Sequence, residues 1–288
     1  MPMNVGKVQN QGIEFDVEAV LVSTKNIEWS VYGNITYVDG KVLRLPESYL
    51  KDDGTRWYAG SSYILKEGGS LHQAYMPEYA GVDAETGKAL YYLDPADHSK
   101  GTTATYSQDL AGDLGDISVK CYGGFGTSLN LYGVDLGIQF AYQFGGKAYD
   151  GTYQEMMHAG DKPGHIWSVD ILNAWTPENT ETDVPRLCAS DSYDQQTSSR
   201  WLVSSNYLSL NNVTVGYTLP SKWTNKIGVA KARVYFQGDN LALFSARQGY
   251  DPRQIQNALS YGVGISTSTG NFVYSMTRTF SGGISISF

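Results

Sequence analysis

The closing stretch of the chain, TFSGGISISF, alternates without a break. Phe280, Gly282, Ile284, Ile286 and Phe288 fall on one side of an extended backbone; Thr279, Ser281, Gly283, Ser285 and Ser287 fall on the other. Successive side chains of a strand point to opposite faces, so this pattern specifies a strand with one apolar and one polar face. Chain ends commonly fray, and a terminal strand this regular is expected to be paired.

The same period recurs upstream. In GIEFDVEAVLV, Ile13, Phe15, Val17, Ala19 and Leu21 oppose Glu14, Asp16 and Glu18. In IEWSVYGNITY, Ile27, Trp29, Val31, Ile35 and Tyr37 share a face, and in VDLGIQFAYQFGG so do Val134, Leu136, Ile138, Phe140, Tyr142 and Phe144. These runs reach roughly ten residues, the length of a tilted strand that spans a membrane. About nine strands are expected, over 10–23, 26–42, 62–81, 87–94, 117–132, 133–148, 203–219, 229–246 and 273–288. Two of them change phase. Leu208 and Leu210 sit on the opposite parity from Val213, Val215 and Tyr217, and Leu241 and Leu243 follow Val234 and Phe236 in the same way. Each shift reads as a bulge or as a change of surroundings.

The connections alternate in length. Those at Ser23–Asn26, Asp83–Gly87, Tyr132–Gly133 and PSKWTNKIG are short; those near 43–61, 95–116, 149–202 and 247–272 are long. Short turns at one end and long loops at the other are the pattern of an outer-membrane barrel with periplasmic turns. The expected fold is therefore all-β: part of an antiparallel transmembrane β-barrel, a meander with long extracellular loops. Residues 149–202 and 247–272 are placed outside the cell, and the turns near Thr24, Glu85 and Thr224 in the periplasm.

A large soluble sandwich would alternate too. Two features argue against it. The polar faces are rich in Gly, Ser, Asn and Gln and poor in Lys, unlike a soluble exterior, and Tyr and Trp gather near strand ends as in an interfacial girdle. Charged residues make up 17% of the chain and its net charge is −8, which argues against binding nucleic acid or an anionic surface as a main role. No apolar run is long enough for a transmembrane helix, a test that barrel strands escape. No secretory leader is recognisable at the start of the sequence.

Several stretches resemble the SusC/RagA-like TonB-dependent transporters of Bacteroidetes outer membranes. They are, in order, NVGKVQNQGIEFDV, YMPEYAGVDAETGKALYY, YGGFGTSLNLYGVDLGIQFAYQFGGKAYD, NYLSLNNVTVGYTLP with ARVYFQGDNLALFS, and GYDPR. The resemblance covers nearly the whole chain. It implies that residues 1–288 are the C-terminal part of such a barrel, since the family's plug domain and most of its 22 strands have no counterpart. An odd strand count also departs from the even counts of single-chain bacterial barrels, and an open sheet in lipid would leave costly unpaired edges. By the same resemblance Phe288 is the terminal aromatic residue read by the barrel-assembly machinery. The implied partners are a SusD-like surface lipoprotein, the TonB complex through the missing N-terminal part, and outer-membrane lipid.

No catalytic constellation is present, and no cofactor or metal motif. His72, His98, His158 and His165 lack ligand spacing, Gly123–Gly126 lacks the Lys-Ser/Thr of a phosphate loop, and DAETG reads as a turn rather than a calcium loop. Cys121 and Cys188 read as two free thiols. Binding is expected in the long loops, where Trp57, Tyr58, Trp167, Trp175, Tyr250 and Arg253 are the candidate ligand contacts; the other reading is that they pack the loops together. Ile166, Val169, Leu172 and Asn173 have roughly helical spacing there. Asp135, Gln139, Gln143, Arg233, Gln237 and Asp239 share the polar parity and are candidates to line a lumen, or to bond to a plug or to each other. The implied function is import of an oligosaccharide or peptide; the alternative is a passive structural or adhesive barrel. A chain without an acid–base pair is not expected to be an enzyme.

Overall fold

The computed structural model describes residues 6–60, 62–191, 195–247, 249–253 and 275–288. The chain opens with two long strands, β1 (Lys7–Ser23) and β2 (Ile27–Arg44). Seven short ones follow: β3 (Trp57–Ala59), β4 (Tyr63–Lys66), β5 (Gln73–Pro77), β6 (Tyr79–Val82), β7 (Ala89–Tyr92), β8 (Thr102–Thr103) and β9 (Ala111–Asp116). The long strands resume with β10 (Cys121–Leu131) and β11 (Val134–Phe144). A short pair, β12 (Lys147–Tyr149) and β13 (Leu202–Ser204), precedes β14 (Tyr207–Thr218), β15 (Lys231–Ser245) and β16 (Thr279–Ser287).

The long strands form one seven-stranded antiparallel wall in the order β1-β2-β10-β11-β14-β15-β16. Register follows the apolar parity. Phe15 pairs with Ile35, Phe125 with Phe140, Val134 with Tyr217, and Val234 with Ile284. A slip of one residue would turn each of these faces over, so the alternation itself fixes the pairing. The apolar face is bare: Ile13 is 74% exposed, Phe236 56% and Ile284 68%. Among the described residues no second sheet covers it, so they do not form the sandwich.

The bulges resolve the phase shifts. β14 skips Asn211 against both neighbours, so Leu208 and Leu210 pair with Tyr142 and Phe140 and return to the face of Val213, Val215 and Tyr217. Opposite it, β15 skips Asn240 and Leu241, with Asn240 at φ 53°. The outward row of β15 then continues through Ala242 and Phe244, while Leu243 pairs with Ser209 on the polar face.

Among the described residues the wall has seven strands, against the nine or so expected. The segments expected as strands over 62–81 and 87–94 are instead broken into β4 to β7, inside two small sheets, β3-β4-β5-β9 and β6-β7-β8. Gly68, at positive φ, interrupts the run between β4 and β5, and β5 is buried on both faces. An alternating segment covered on both sides belongs to an insert rather than to a two-faced wall. The stretches 43–61 and 95–116, expected as loops, supply β3, β8 and β9. The expected strand 273–288 and the loop 247–272 fall partly outside the described residues.

The two inserts, 45–120 and 145–206, pack on each other. Their shared core is Ala74, Met76, Ile117, Tyr149, Met157, Ile171, Ala174, Val184 and Trp201. The roughly helical spacing of Ile166, Val169, Leu172 and Asn173 does not make a buried helix. Val169–Asn173 is a 3-10 helix that buries Ile171, while Ile166, Val169 and Leu172 stand outside, Leu172 at 81% exposure. The DAETG turn forms as expected: Asp83 accepts hydrogen bonds from the amides of Glu85 and Thr86, and Gly87 sits at φ 70°. Its location is different. Trp175 Nε1 donates to the Ala84 carbonyl at 3.1 Å and the Arg186 amide to that of Gly87 at 2.9 Å. Glu85 therefore lies at the insert end of the wall, opposite the short turns, and does not share an end with the turns near Thr24 and Thr224 as expected.

The short-turn end is tightly built. Tyr132 and Gly133, at φ 50° and 88°, make the two-residue connection between β10 and β11 that suits the twist of paired strands. Between β14 and β15 runs a short helix α2 (Ser221–Thr224), continued by a 3-10 turn over Asn225–Ile227 and closed by Gly228 at φ 73°. Ser287 pairs with Lys231, so Phe288 emerges at this same end.

Candidate functional site

The polar face of the wall gathers the six residues chosen by parity, and the register places all of them on one side. The Arg233 guanidinium meets Asp135 bidentately, Nε to Oδ1 at 2.8 Å and Nη2 to Oδ2 at 2.5 Å. These residues come from β15 and β11, which are not neighbours, so the pair crosses β14. It crosses at Gly216, where an added Cβ would lie 2.5 Å from both charged groups. Only a glycine leaves that passage open. Both side chains are 29% exposed, so the pair fixes geometry more than it adds stability, about 1 kcal/mol at most.

A second cluster lies further along the same face. Asp239 accepts from Asn212 Nδ2 at 2.7 Å and from Gln237 Nε2 at 3.0 Å, and Thr214 Oγ1 donates to Asn212 Oδ1 at 2.9 Å. Gln237 and Asp239 thus bond to each other and to β14. Gln143 is buried, its Nε2 donating to the Ser205 carbonyl at 2.9 Å; it pins the base of the second insert rather than lining an open surface. Gln139 is exposed. Asn212 and Thr214 alternate with Val213 and Val215, and that alternation was the signal for them. Glu14, Asp16 and Glu18 also face this side, opposite Thr36, Asn34 and Tyr32, and the alternation in EFDVE was the signal for them.

The candidate loop residues divide by exposure. Tyr58 is 37% exposed and packs on Tyr49 and Tyr63 at ring distances of 5.1 and 6.0 Å. Trp57 is half-buried beneath the Lys51 ammonium, 4.3 Å from its ring centroid. Trp167 is 49% exposed and donates to the His158 carbonyl at 2.9 Å. Trp175 braces the DAETG turn. Tyr250 is 3% exposed, and burial pushes its phenol well above the usual range. Arg253 is held by Asp251 through Nε and Nη2 at 2.8 and 2.7 Å. Burial pushes the Asp251 carboxyl up, but the Arg253 hydrogen bonds and charge outweigh it and hold it below the usual carboxylate range. Trp175, Tyr250 and Arg253 are therefore packing and pairing groups, while Tyr58 and Trp167 present surface.

Two further features join the loops. A cavity of about 350 Å³ lies between the inserts, lined by Glu78, His98, Asp113, Leu114, Lys147 and Ser199. Asp150 caps helix α1 (Gly151–Met156) and is ion-paired with Arg247, which stacks 3.9 Å from the centre of the Tyr153 ring. Burial and the Asp170 hydrogen bond push the Tyr153 phenol up to about 12. This contact ties the second insert to the connection that follows β15. Among the described residues no cluster of His, Cys, Asp and Glu could hold a metal ion, and Cys121 and Cys188 are free.

No protein-family model matches the chain. It is 26% identical over 308 residues to TonB-dependent receptor P3 of Formosa agariphila, covering 99% of this chain and 29% of that protein. It is 25% identical over 268 residues to TonB-dependent receptor SusC of Bacteroides thetaiotaomicron, covering 88% of this chain and 25% of that protein. Among solved structures it is similar to the RagAB peptide transporter, with a TM-score of 0.78 and 26% identity over 99% of this chain and 30% of that one. The resemblance to SusC/RagA-like TonB-dependent transporters thus holds over the whole chain, in sequence and in fold. These are receptors and a transporter, not enzymes. The chain spans less than a third of the length of the relatives it matches.

Proposed function

We propose that residues 1–288 are the C-terminal part of an outer-membrane, TonB-dependent importer, and that the parent protein takes up an oligosaccharide or a peptide too large for passive diffusion. The observation that carries this reading is the two-faced wall: a bare apolar face fit for lipid, backed by a polar face crossed by the Asp135–Arg233 pair, in a chain matched end to end by TonB-dependent receptors. Asp135, Gln139, Arg233, Gln237 and Asp239 line the passage or meet the plug domain. The insert end faces the cell exterior, where Tyr58 and Trp167 offer aromatic surface to the ligand. A SusD-like lipoprotein is the partner at that end, as the likeness to SusC and RagAB suggests, and the peptide transporter among the neighbours favours a peptide. TonB engages the parent outside these residues. Phe288, at the short-turn end, serves as the barrel-assembly signal.

Deletion of the encoding gene should abolish growth on one complex nutrient while sparing growth on its monomers, and residues 1–288 alone should not restore it. A deletion strain that grows normally on glycans, oligopeptides and metal chelates alike would overturn the proposal, as would rescue by this part alone.

A further inference from the structure

The connection between β14 and β15 differs in charge from the rest of the molecule. From Leu219 to Lys231 the sequence is LPSKWTNKIGVAK, with Lys222, Lys226 and Lys231 and no acidic residue, in a chain of net charge −8. The other short turns carry no such excess: Tyr132–Gly133 is uncharged, and Lys25 is followed closely by Glu28.

Its shape sorts these residues. α2 and the 3-10 turn after it bury Thr224 at 2% exposure, while Trp223 is left 60% exposed and Ile227 76%. Residues four apart share a helix face, so Trp223 and Ile227 make an apolar strip and Lys222 and Lys226 a basic strip beside it. The turn follows directly on Tyr217, Ala232 and Ile286, the last outward residues of β14, β15 and β16, and so stands at the end of the wall's bare apolar face. An exposed tryptophan is costly in water but suits the boundary between hydrocarbon and headgroups. A short amphipathic turn with lysines beside its apolar strip is a minimal form of an interfacial anchor.

From this we infer that the β14–β15 turn is a phospholipid-binding anchor: Trp223 and Ile227 enter the leaflet at the short-turn end, and Lys222 and Lys226 contact the phosphates of anionic lipids. The inference rests on reading the wall as membrane-spanning. It adds a lipid preference, confined to this turn, that the wall alone does not carry.

The test uses the full-length parent protein with its native cysteines replaced, reconstituted in vesicles of equimolar phosphatidylethanolamine and phosphatidylglycerol. An environment-sensitive fluorophore is placed at Ile227→Cys and, separately, at Ile284→Cys on the wall. Quenching is compared for spin-labelled phosphatidylglycerol, spin-labelled phosphatidylcholine and aqueous iodide, and heat-modifiable migration verifies that each variant is folded. The Ile227 probe should be quenched by lipid rather than by iodide, and more by the anionic lipid than by the zwitterionic one. In Lys222→Gln/Lys226→Gln that preference should fall, on the order of fivefold for each lysine removed. If the Ile284 probe meets lipid while the Ile227 probe meets only iodide, the anchor is wrong and the wall reading stands. Equal quenching by the two lipids, or a preference unmoved by the lysine substitutions, also overturns it. If neither probe meets lipid, the membrane-spanning reading fails with it.

Discussion

The wall and the inserts solve opposite problems with the same chain. The wall leaves Ile13, Phe236 and Ile284 more than half exposed and is held by long ladders between neighbours. The inserts use strands of two to six residues and bury Trp201, Tyr91 and Met76 completely. The wall leaves its apolar face for its surroundings to cover, so no protein core forms behind it. The inserts stand beyond that surface and must bury their own apolar groups, as a small soluble domain does. An apolar side chain therefore has different neighbours, and a different value, in the two regions.

The comparison breaks first on sidedness, an all-or-none effect. Single cysteines at Glu85 and Thr180 of the parent should both react with an impermeant reagent on whole cells, and one at Thr24 should not. Labelling of Thr180 without Glu85 would separate the two inserts and undo the shared core.

Next in size is the core itself. Trp201→Ala should cost the inserts about 3–5 kcal/mol through the cavity left behind, read as faster native-state proteolysis within 145–206 while the wall keeps its heat-modifiable migration. Phe236→Ala on the wall loses only the transfer of one ring and should cost less. Equal losses, or loss of both regions together, would show that wall and inserts unfold as one unit.

Smaller, and confined to the wall, is the glycine beneath the ion pair. Gly216→Ala must displace Arg233 or Asp135 and should cost about 1–3 kcal/mol in chemical denaturation. Gly137→Ala, on the same face with nothing within 4 Å of its added Cβ, should be neutral or mildly stabilising. If the two behave alike, the pair does not cross β14 as described.

The smallest effect is that of acid on the inserts' side. Asp251 titrates below its ordinary value of 3.8, so its pairing with Arg253 adds stability that is fully present above that pH and is lost as the pH falls through the folded value. Hydrogen exchange at residues 249–253 should rise on acidification below about pH 4 in the native protein, and Asp251→Asn should remove this dependence. An unchanged acid response in that variant would mean that another group is responsible.

How much could be read from the sequence follows the same division. One environment on each side of the wall writes a period of two into seven strands, and Asp135, Arg233, Gln237 and Asp239 follow from parity alone. Asn212 and Thr214 follow in the same way from Val213 and Val215, whereas a skipped residue at Asn211 resets the count for Leu208 and Leu210. In the inserts both faces of β5 are covered, so its alternation carries no direction and 62–81 passes for a wall strand. The loop aromatics are visible as residue types, yet whether a ring is buried, as Tyr250 is, or open, as Tyr58 is, depends on how the connections fold against one another, for which no local pattern exists.

The order of the wall has a consequence in strand polarity. β1 runs toward the short-turn end, and after six antiparallel pairings so does β16. The two free edges of the wall therefore point the same way, and they could meet each other only as parallel strands. If the wall closes into a cylinder that is antiparallel throughout, the strands added between those edges must be odd in number, the first and last of them running toward the inserts.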